Sequence, residues 1–405
     1  MPVLRHAWRN LWRNRRRTLI TAAAVALGTA VLIVVRGLID GLLLASILNA
    51  TDKNMGEVQV HAPGYLSGRS MYKTVEEPQR LLAELDARDI PAVARSYGFG
   101  LLAAGTKSAG ARFWGVDPER ERRAFVLAGH VTDGAFLGAG AAGGVVLGRK
   151  LARSLQAGVG DEIVAVVQAA DGSLGNELFT VSGILPALGE SLDRGAALLH
   201  ADDYERLFVS DGRIHEVAVS TRGKVELDEL VAVTRELAPD YDVRSWRELM
   251  PMLSDMLQMV DGVLLIFGSI FFLAAGLGVL NTMIMATYER VREFGIIKAL
   301  GASPWRIARD VALEAWLMAL VSTAAGAGLG LLACRLLETN GIDLSRYGSG
   351  LTLAGVAFDT VWRARFDPAY AVMPVVAMWL VCVLAALYPA AAAARLDPVD
   401  AMTRT

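Results

Sequence analysis

The chain has 405 residues, of which 54% are hydrophobic, and its 40 Lys and Arg residues nearly balance its 42 Asp and Glu residues. A net charge of −2 excludes functions that need a strongly basic surface, such as bulk nucleic-acid binding, and the hydrophobic content excludes an ordinary soluble protein. The composition therefore indicates an integral membrane protein. Its two cysteines, Cys334 and Cys382, both lie in apolar runs, so no disulfide framework is expected in an exported part.

Residues 1–17 predict a basic amphipathic helix on the cytoplasmic leaflet. Leu4, Trp8, Leu11 and Trp12 recur at helical spacing among six arginines. Such a helix lies in the membrane interface, with its Trp side chains at the level of the lipid headgroups.

Residues 18–49 predict a first membrane span followed by a stalk. The apolar run 19–35 is long enough to cross a bilayer, and no small-residue cleavage site of a signal peptide follows it. Arg36 and Asp40 have the spacing of a helical salt bridge, and an apolar stripe continues beyond them, so the helix is expected to project from the membrane. The alternative is that Arg36 only snorkels at the interface.

Residues 50–250 predict an α+β domain outside the membrane, because they contain short alternating runs and no segment long enough to span a bilayer. The predicted strands are 57–61, 144–147, 163–167, 178–184 and 217–220, and the predicted helices are 79–88, 202–208 and 227–237. A possible inserted lobe occupies 126–212.

Residues 251–287 predict a second stalk and a second span. Met252, Met256 and Met259 lie in an amphipathic stretch before the apolar run 262–287. A groove lined by Met would suit an adaptable hydrophobic ligand, whereas Met at helical spacing is equally consistent with ordinary helix packing.

Residues 288–310 predict a cytoplasmic loop that contains a short helix. The loop carries five basic and three acidic residues, and this bias places it inside by the positive-inside rule. Gly301 is expected to end the helix, and Pro304 is expected to begin the next one.

The remaining residues predict two more spans, at 311–337 and 369–394, joined by a short external loop at 338–368 and followed by a cytoplasmic tail at 395–405. Gly326 and Gly330 form a GxxxG pair in the third span, which favours close packing against another helix. The fold class predicted is a membrane protein of four transmembrane α-helices, with a large α+β domain between helices 1 and 2 and both termini in the cytoplasm.

Motifs for catalysis or nucleotide binding do not occur in the sequence. There is no GxxxxGK[ST], HExxH, CxxC or GxSxG, and the five histidines are scattered. His215 precedes Glu216 without a partner histidine on the same face, so no metal site is expected there. The sequence predicts a non-catalytic subunit with no cofactor or metal of its own.

The loop after the second span carries a specific resemblance. Asn281-Thr282-Met283 is followed at 289–303 by ERVREFGIIKALGAS, which resembles the E-R-x-R-E-[FI]-G-x-x-[KR]-A-[LI]-G-A-S pattern of permease subunits in the MacB/FtsX/LolC-LolE group of ABC transporters. The leader at 7–18 and the tail at 395–402 resemble the same group. Short stretches of the external domain, at 56–61, 146–152, 158–162 and 192–195, look most like the LolC/LolE-type lipoprotein-release permeases.

The resemblance implies a multi-pass protein of the bacterial inner membrane with a periplasmic external domain. It implies a dimer with a second permease, identical or related, and a separate cytosolic ABC ATPase that binds ATP and Mg. The residues implied in coupling to that ATPase are Glu289, Arg290, Arg292, Glu293, Phe294, Gly295, Ile297, Lys298, Ala299, Leu300, Gly301 and Ser303. Arg290, Arg292 and Lys298 are expected to pair with acidic groups of the ATPase, and Phe294, Ile296 and Ile297 to fill an apolar pocket.

The function implied is extraction of lipoproteins from the inner membrane for outer-membrane sorting. Acyl chains would then enter between the first two spans and their stalks, at Leu42, Leu43, Ile47, Met252, Met256 and Met259. Two alternatives are MacB-like mechanotransmission for efflux or secretion and an FtsX-like scaffold that regulates a cell-wall hydrolase.

Overall fold

The computed structural model describes residues 8–397 except 11, 14, 139, 141–142, 345–351, 354–355 and 358–360. The start of the predicted leader and most of the predicted tail, residues 398–405, lie outside this range. The chain divides into two compact units. The membrane unit comprises Met1–Leu43, Leu257–Leu344 and Val361–Thr405, and the external unit comprises Leu44–Met256 and Ser345–Thr360.

The helices, in chain order, are α1 (Arg15–Ala50), α2 (Tyr65–Gly68), α3 (Pro78–Asp86), α4 (Pro118–Ala124), α5 (Arg149–Leu155), α6 (Glu190–Gly195), α7 (Ala201–Phe208), α8 (Leu227–Leu237), α9 (Trp246–Leu249), α10 (Pro251–Tyr288), α11 (Val291–Ala299), α12 (Pro304–Asn340) and α13 (Val372–Arg395). The strands of the main sheet are β1 (Val58–His61), β2 (Ala92–Ala104), β3 (Lys107–Val116), β4 (Asp133–Gly134), β5 (Gly144–Leu147), β6 (Glu162–Gln168), β7 (Leu174–Ile184), β8 (Ala196–His200), β9 (Glu216–Val219) and β10 (Asp242–Ser245).

Four helical segments of the described chain are long and apolar enough to cross a membrane, and this confirms the four predicted spans. They are Arg15–Lys53, Pro251–Tyr288, Pro304–Asn340 and Pro368–Arg395. A helix can satisfy most of its backbone hydrogen bonds internally, as the absence of water in a bilayer requires. The first and second segments continue past their apolar runs by several residues, as the predicted stalks would.

The GxxxG pair of α12 lies directly against α1, which confirms the predicted close packing. A Cβ added to Gly326 would come within 2.5 Å of the carbonyl oxygen of Ala26, and one added to Gly330 within 3.0 Å of the Cα of Ala30. Association in lipid depends on such backbone approach, because the hydrophobic effect does not drive helices together there. Gly328, between the two, has no neighbouring atom within 4 Å of such a Cβ.

We expect Gly326→Ala to lower the melting temperature of the detergent-purified protein, because the added methyl group must push α12 away from α1. Overpacking of this kind costs about 1–3 kcal/mol. Gly328→Ala is the matched control, since the same methyl group meets open space and alanine is the better helix former. Equal melting temperatures for the two variants would contradict the assigned packing.

The external unit is built on one ten-stranded sheet, in the order β10-β1-β9-β2-β3-β8-β5-β7-β4, with β6 pairing β2 and β7. The five predicted strands correspond to β1, β5, β6, β7 and β9, and the three predicted helices to α3, α7 and α8, each within a few residues. The possible inserted lobe at 126–212 stays a prediction. Strands within that range belong to the same sheet as β2 and β3.

The central hairpin, β2–β3, was not expected from the sequence. It pairs antiparallel over its whole length, from Arg95 opposite Val116 to Ala104 opposite Lys107, and turns at Gly105, whose φ of 55° suits glycine. Its strands are rich in Ala and Gly, so they lack the β-branched alternation by which strands are identified.

A buried charge network joins three elements of the external unit. The guanidinium of Arg95 on β2 donates two hydrogen bonds, of 2.7 and 3.0 Å, to the carboxylate of Glu121 on α4 and lies 3.3 Å from Glu216 on β9. The hydroxyl of Tyr97 donates to Glu216 at 2.8 Å. Buried charges are tolerated only when paired in this way.

His215 is buried beside this network in its neutral form. Its Nδ1 accepts the backbone N–H of Tyr97 at 3.0 Å, and its Nε2 donates to the carbonyl of Met71 at 3.1 Å. Burial lowers the pKa of His215, and the groups that face it electrostatically are Arg213, Glu216 and His61. A proton added at Nδ1 would oppose the Tyr97 N–H.

A histidine whose pKa is lower in the folded than in the unfolded state stabilises the fold at neutral pH. That contribution is lost as the pH falls below the unfolded value of about 6.5. We therefore expect the free energy of unfolding to decrease between pH 7.5 and pH 5.5, with a contribution from His215 of at most about 1.4 kcal/mol per pH unit. Thermal melts across this range should show a shallower pH dependence for His215→Gln than for the wild type. Parallel profiles would exclude His215 as the titrating group.

Candidate coupling site

The predicted helix between the second and third spans is α11. Its end has the expected glycine turn, because the N–H of Gly301 donates to the Lys298 carbonyl and the N–H of Ala302 donates to the Ile297 carbonyl, at 3.0 and 3.2 Å. Gly301 has a φ of 93°, and Pro304 occupies the first turn of α12. This is the Schellman arrangement, and it stops the helix before the chain enters the third span.

A buried carboxylate of α12 holds the start of α11. Glu314 Oε1 accepts hydrogen bonds from Arg290 Nη1 and from Asn10 Nδ2, both at 2.7 Å. Arg290 also lies 3.3 Å from Glu293 and stacks over the Phe294 ring, with 4.9 Å from its guanidinium carbon to the ring centroid. A carboxylate in this position needs its cation, because an unpaired buried charge is costly.

The described part of the leader is fastened to the same segment by two ion pairs. Arg13 lies 2.6 Å from Glu293, and Arg17 of α1 binds Glu289 through two contacts of 2.9 and 3.3 Å. Partial burial would raise the pKa of Glu293, but its hydrogen bonds with Arg13 and Arg290 outweigh that effect and lower the pKa. Glu293 is therefore ionised at neutral pH, as its ion pair with Arg13 requires.

Lys298 binds within the chain rather than facing outward. Its Nζ donates to the carbonyl oxygens of Ala394 and Leu396, at 3.0 and 2.6 Å, at the end of α13. The last carbonyls of a helix lack intrahelical donors, and a cation there also opposes the negative end of the helix dipole. The ammonium group therefore caps the fourth span, and the expected pairing of Lys298 with acidic groups of a partner stays a prediction.

Phe294 lies on the inner side of α11, and its expected place in an apolar pocket of a partner stays a prediction. It is only 4% exposed and belongs to the core of the membrane unit, together with Ile307, Val311 and Met283. Val291 and Gly295 lie on the same buried face of α11. Arg290, expected to pair with a partner, is likewise engaged inside the chain.

The opposite face of α11 is open. Leu300 and Trp305 are 83% and 77% exposed, and Ile296 and Ile297 are 45% and 43% exposed. Arg292, Ala299, Gly301 and Ser303 are exposed as well. We call Arg292, Ile296, Ile297, Leu300 and Trp305 the outer face. Within α11, helical spacing separates Arg292, Ile296 and Ile297 from the buried side of the helix, and Leu300 and Trp305 follow in the turn and in the start of α12.

Sequence reasoning identified the segment but missed the residues that hold it. The residues that hold it lie outside α11 in the sequence, and their local pattern does not indicate which residues they contact. They are Asn10, Arg13, Arg17 and Glu314. Trp305 lay outside the matched motif, although its position directly after Pro304 in a charged loop was a usable signal of exposure.

The predicted substrate residues differ in their accessibility. Met252 and Met259 are exposed, Leu42, Ile47 and Met256 are partly buried, and Leu43 is buried at 7%. Leu43 therefore packs inside the protein. The roles of all six residues as substrate contacts stay predictions.

We expect Lys298→Met to lower the melting temperature of the purified protein, because it removes the donor to two helix-end carbonyls at a cost of about 1–2 kcal/mol. Arg292→Met is the control, since it removes the same charge from the exposed face of the same helix and should leave the melting temperature unchanged. A larger effect at Arg292 than at Lys298 would reverse the assignment of the two faces.

Comparison with known proteins adds two family models. The family model described as "MacB-like periplasmic core domain" matches residues 18–237, and the model described as "FtsX-like permease C-terminal" matches residues 265–398. Together they cover most of the first span, most of the external unit and most of the last three spans.

Curated relatives include three kinds of protein. A pyoverdine export ATP-binding/permease protein of Pseudomonas fluorescens is 27% identical over all of this chain and 59% of its own length. A macrolide export ATP-binding/permease protein of Marinobacter nauticus is 26% identical over 48% of this chain and 33% of its own length. A lipoprotein-releasing system transmembrane protein of Xylella fastidiosa is 25% identical over 74% of this chain and 75% of its own length. The chain thus spans between one third and three fifths of the export proteins it matches.

Among solved structures, the periplasmic region of MacB from Actinobacillus actinomycetemcomitans aligns with 54% of this chain and 97% of that chain, at 14% identity and a TM-score of 0.38.

Proposed function

Because the chain belongs to the MacB/FtsX/LolC family of ABC transporter permeases, we propose that it receives the work of ATP hydrolysis at α11 from a separate ABC ATPase. In this proposal ATP and Mg are bound by the ATPase, and this chain supplies no catalytic group. The protein is a multi-pass protein of the inner membrane, and the proposal places both termini and α11 in the cytoplasm, in line with the positive-inside bias of the loop.

The observation that carries the proposal is the division of α11 into an anchored face and an open face. The anchored face is joined to α12 through Glu314, to α13 through Lys298, and to α1 through Arg17 and Glu289. The open side carries Leu300 directly after α11 and Trp305 in the first turn of α12, two large apolar side chains that lie outside the apolar runs of the spans. Large exposed apolar side chains rimmed by charge are typical of protein-binding surfaces.

This arrangement suits transmission of a push. A force applied to the outer face would pass through hydrogen bonds and ion pairs into three membrane helices at once, and α10 precedes α11 directly in the chain. Movement of rigid helices by such short elements is an established type of conformational transition. Two permeases acting as a dimer, identical or related, would place two such elements against two ATPase subunits.

The cargo that we propose is a lipoprotein, extracted from the inner membrane for transfer to the outer membrane. The lipoprotein-releasing relative supports this choice, because the match covers about three quarters of both chains. The exposed Met252 and Met259 are flexible apolar side chains that can adapt to acyl chains.

Efflux or secretion driven by mechanotransmission is the second candidate. It is favoured by the pyoverdine export relatives, which match this chain over its whole length. In that case the external domain would drive a partner, and nothing would need to cross the bilayer through this chain.

We expect Leu300→Glu to abolish, or reduce at least fivefold, the amount of ABC ATPase that copurifies with the protein and the ATP hydrolysis of the complex, because a carboxylate cannot enter an apolar pocket without losing its hydration. Leu174→Glu is the control, since Leu174 on β7 is 81% exposed and remote from α11 in sequence. Undiminished copurification and hydrolysis with Leu300→Glu would contradict the outer face as the ATPase contact.

Depletion of the protein in its host tests the cargo. Retention of lipoproteins in the inner membrane is the expected result, and fractionation followed by mass spectrometry measures it. Normal lipoprotein sorting together with loss of an exported compound would favour the second candidate instead.

A further inference from the structure

The external unit contains a cavity of about 840 Å³ that the coupling role does not use. One face of the sheet forms its floor. Strand alternation places Arg95, Tyr97 and Phe99 on the same side of β2, and the register sets Trp114 opposite Tyr97 and Arg112 opposite Phe99 on β3. Ligand cavities in proteins usually have volumes of about 300–1,000 Å³.

The carboxylates of the cavity are already paired. Glu216 interacts with Arg95 and Tyr97, Glu190 with Lys150 and Arg194, and Glu248 with Arg235 and the backbone of Ser245. These groups neutralise one another and leave little negative charge for a cationic ligand.

Two guanidinium groups in the lining have no such partner. Within the described residues, the side chains of Arg112 and Arg69 form no hydrogen bond or ion pair. Arg112 is held over two rings, with its guanidinium carbon 5.1 Å from the Tyr97 centroid and 4.6 Å from the Trp114 centroid. Stacking of this kind fixes the guanidinium plane and leaves its N–H donors available for an anion.

A buried donor beside Arg112 is unsatisfied. Trp114 is 2% exposed, and its indole Nε1 has no acceptor within the described part of the chain. Buried donors almost always have a partner, and those without one usually indicate a missing ligand, ion or water. Trp114 also lines the cavity, so its ring, on which Arg112 stacks, forms part of the wall.

The rest of the lining is apolar. Leu66, Leu188, Leu192 and Met250 contribute to the walls, and the Phe99 ring is 57% exposed. A fully hydrated inorganic anion would leave these surfaces wet, whereas a molecule with an apolar body would cover them.

We propose that this cavity binds an amphipathic anion, a carboxylate or phosphate attached to an apolar body. The anionic oxygens accept hydrogen bonds from the guanidinium of Arg112, which the Tyr97 and Trp114 rings hold in place, Arg69 adds positive charge at the rim, and the apolar body lies against Leu66, Leu188 and Phe99. The site is distinct from the coupling surface, and it adds ligand recognition to a domain for which force transmission alone requires no such cavity.

Calorimetric titration of the full chain in nanodiscs of zwitterionic lipid tests the proposal, with hexyl phosphate and hexanoate as probes. Saturable binding at one site per chain is expected for at least one of them, with affinity at least tenfold above that of inorganic phosphate or hexanol. Arg112→Gln should weaken binding at least tenfold. Arg153→Gln is the control, since it removes a charge from an exposed arginine of the same unit.

Circular dichroism and thermal melts establish that each variant is folded before it is titrated. The proposal is overturned by the absence of saturable binding of both probes, by equal affinity for inorganic phosphate, or by unchanged affinity in Arg112→Gln. Repeating the titration in nanodiscs with anionic lipid separates the sources: competition identifies a membrane lipid as the natural ligand, and an unchanged affinity identifies a soluble compound. Failure of the ATPase-binding experiment would leave these outcomes unaffected.

Discussion

The carboxylate of Glu314 is the interaction on which the cytoplasmic end of the membrane unit depends. Glu314 is one of the buried residues of α12, and it accepts hydrogen bonds from Arg290 and from Asn10 of the leader. A charge so little exposed is stable only with its partners in place, so the segment before α11, the leader and α12 must assemble together. The ion pairs of Arg13 and Arg17 then extend the same assembly along the leader and α1.

Because of this anchoring, most charged residues of the loop bind within the chain rather than lie on its exposed side. Glu289, Arg290, Glu293 and Lys298 look in sequence like a set of groups for an external partner, but they hold the protein together. The open side of α11 is dominated by apolar groups, with Arg292 among them. An apolar contact gains free energy from water release, whereas exposed ion pairs contribute little, so the outer face is the better surface for a stable yet reversible association.

In the external unit, too, most buried charges are paired within the chain. Its sheet has one face packed on apolar side chains of α3 and α8 and another that carries the Arg95–Glu121–Glu216 network. Full pairing in that network contrasts with Arg112, whose guanidinium is stacked on two rings and, among the residues that the structure describes, forms no hydrogen bond or ion pair. Buried polar groups on a sheet face are costly unless they form hydrogen bonds or ion pairs. The guanidinium of Arg112 therefore makes the cavity suited to an anion.

Much of the architecture followed from the sequence alone. The four spans, the α+β domain between the first two, the helix ended by Gly301 and the close packing of Gly326 and Gly330 all depend on local composition or on spacing within one segment, which the linear chain displays directly. The β2–β3 hairpin was not predicted because its strands are rich in Ala and Gly and have little strand propensity of their own. Pairing with the neighbouring strands β9 and β8 stabilises them instead. Only the tertiary structure decided which face of α11 is anchored, that Lys298 caps α13, and that Arg112 and Trp114 share a cavity. Each of these depends on which distant residue lies within about 3–5 Å in the folded chain, and that information is absent from any local pattern.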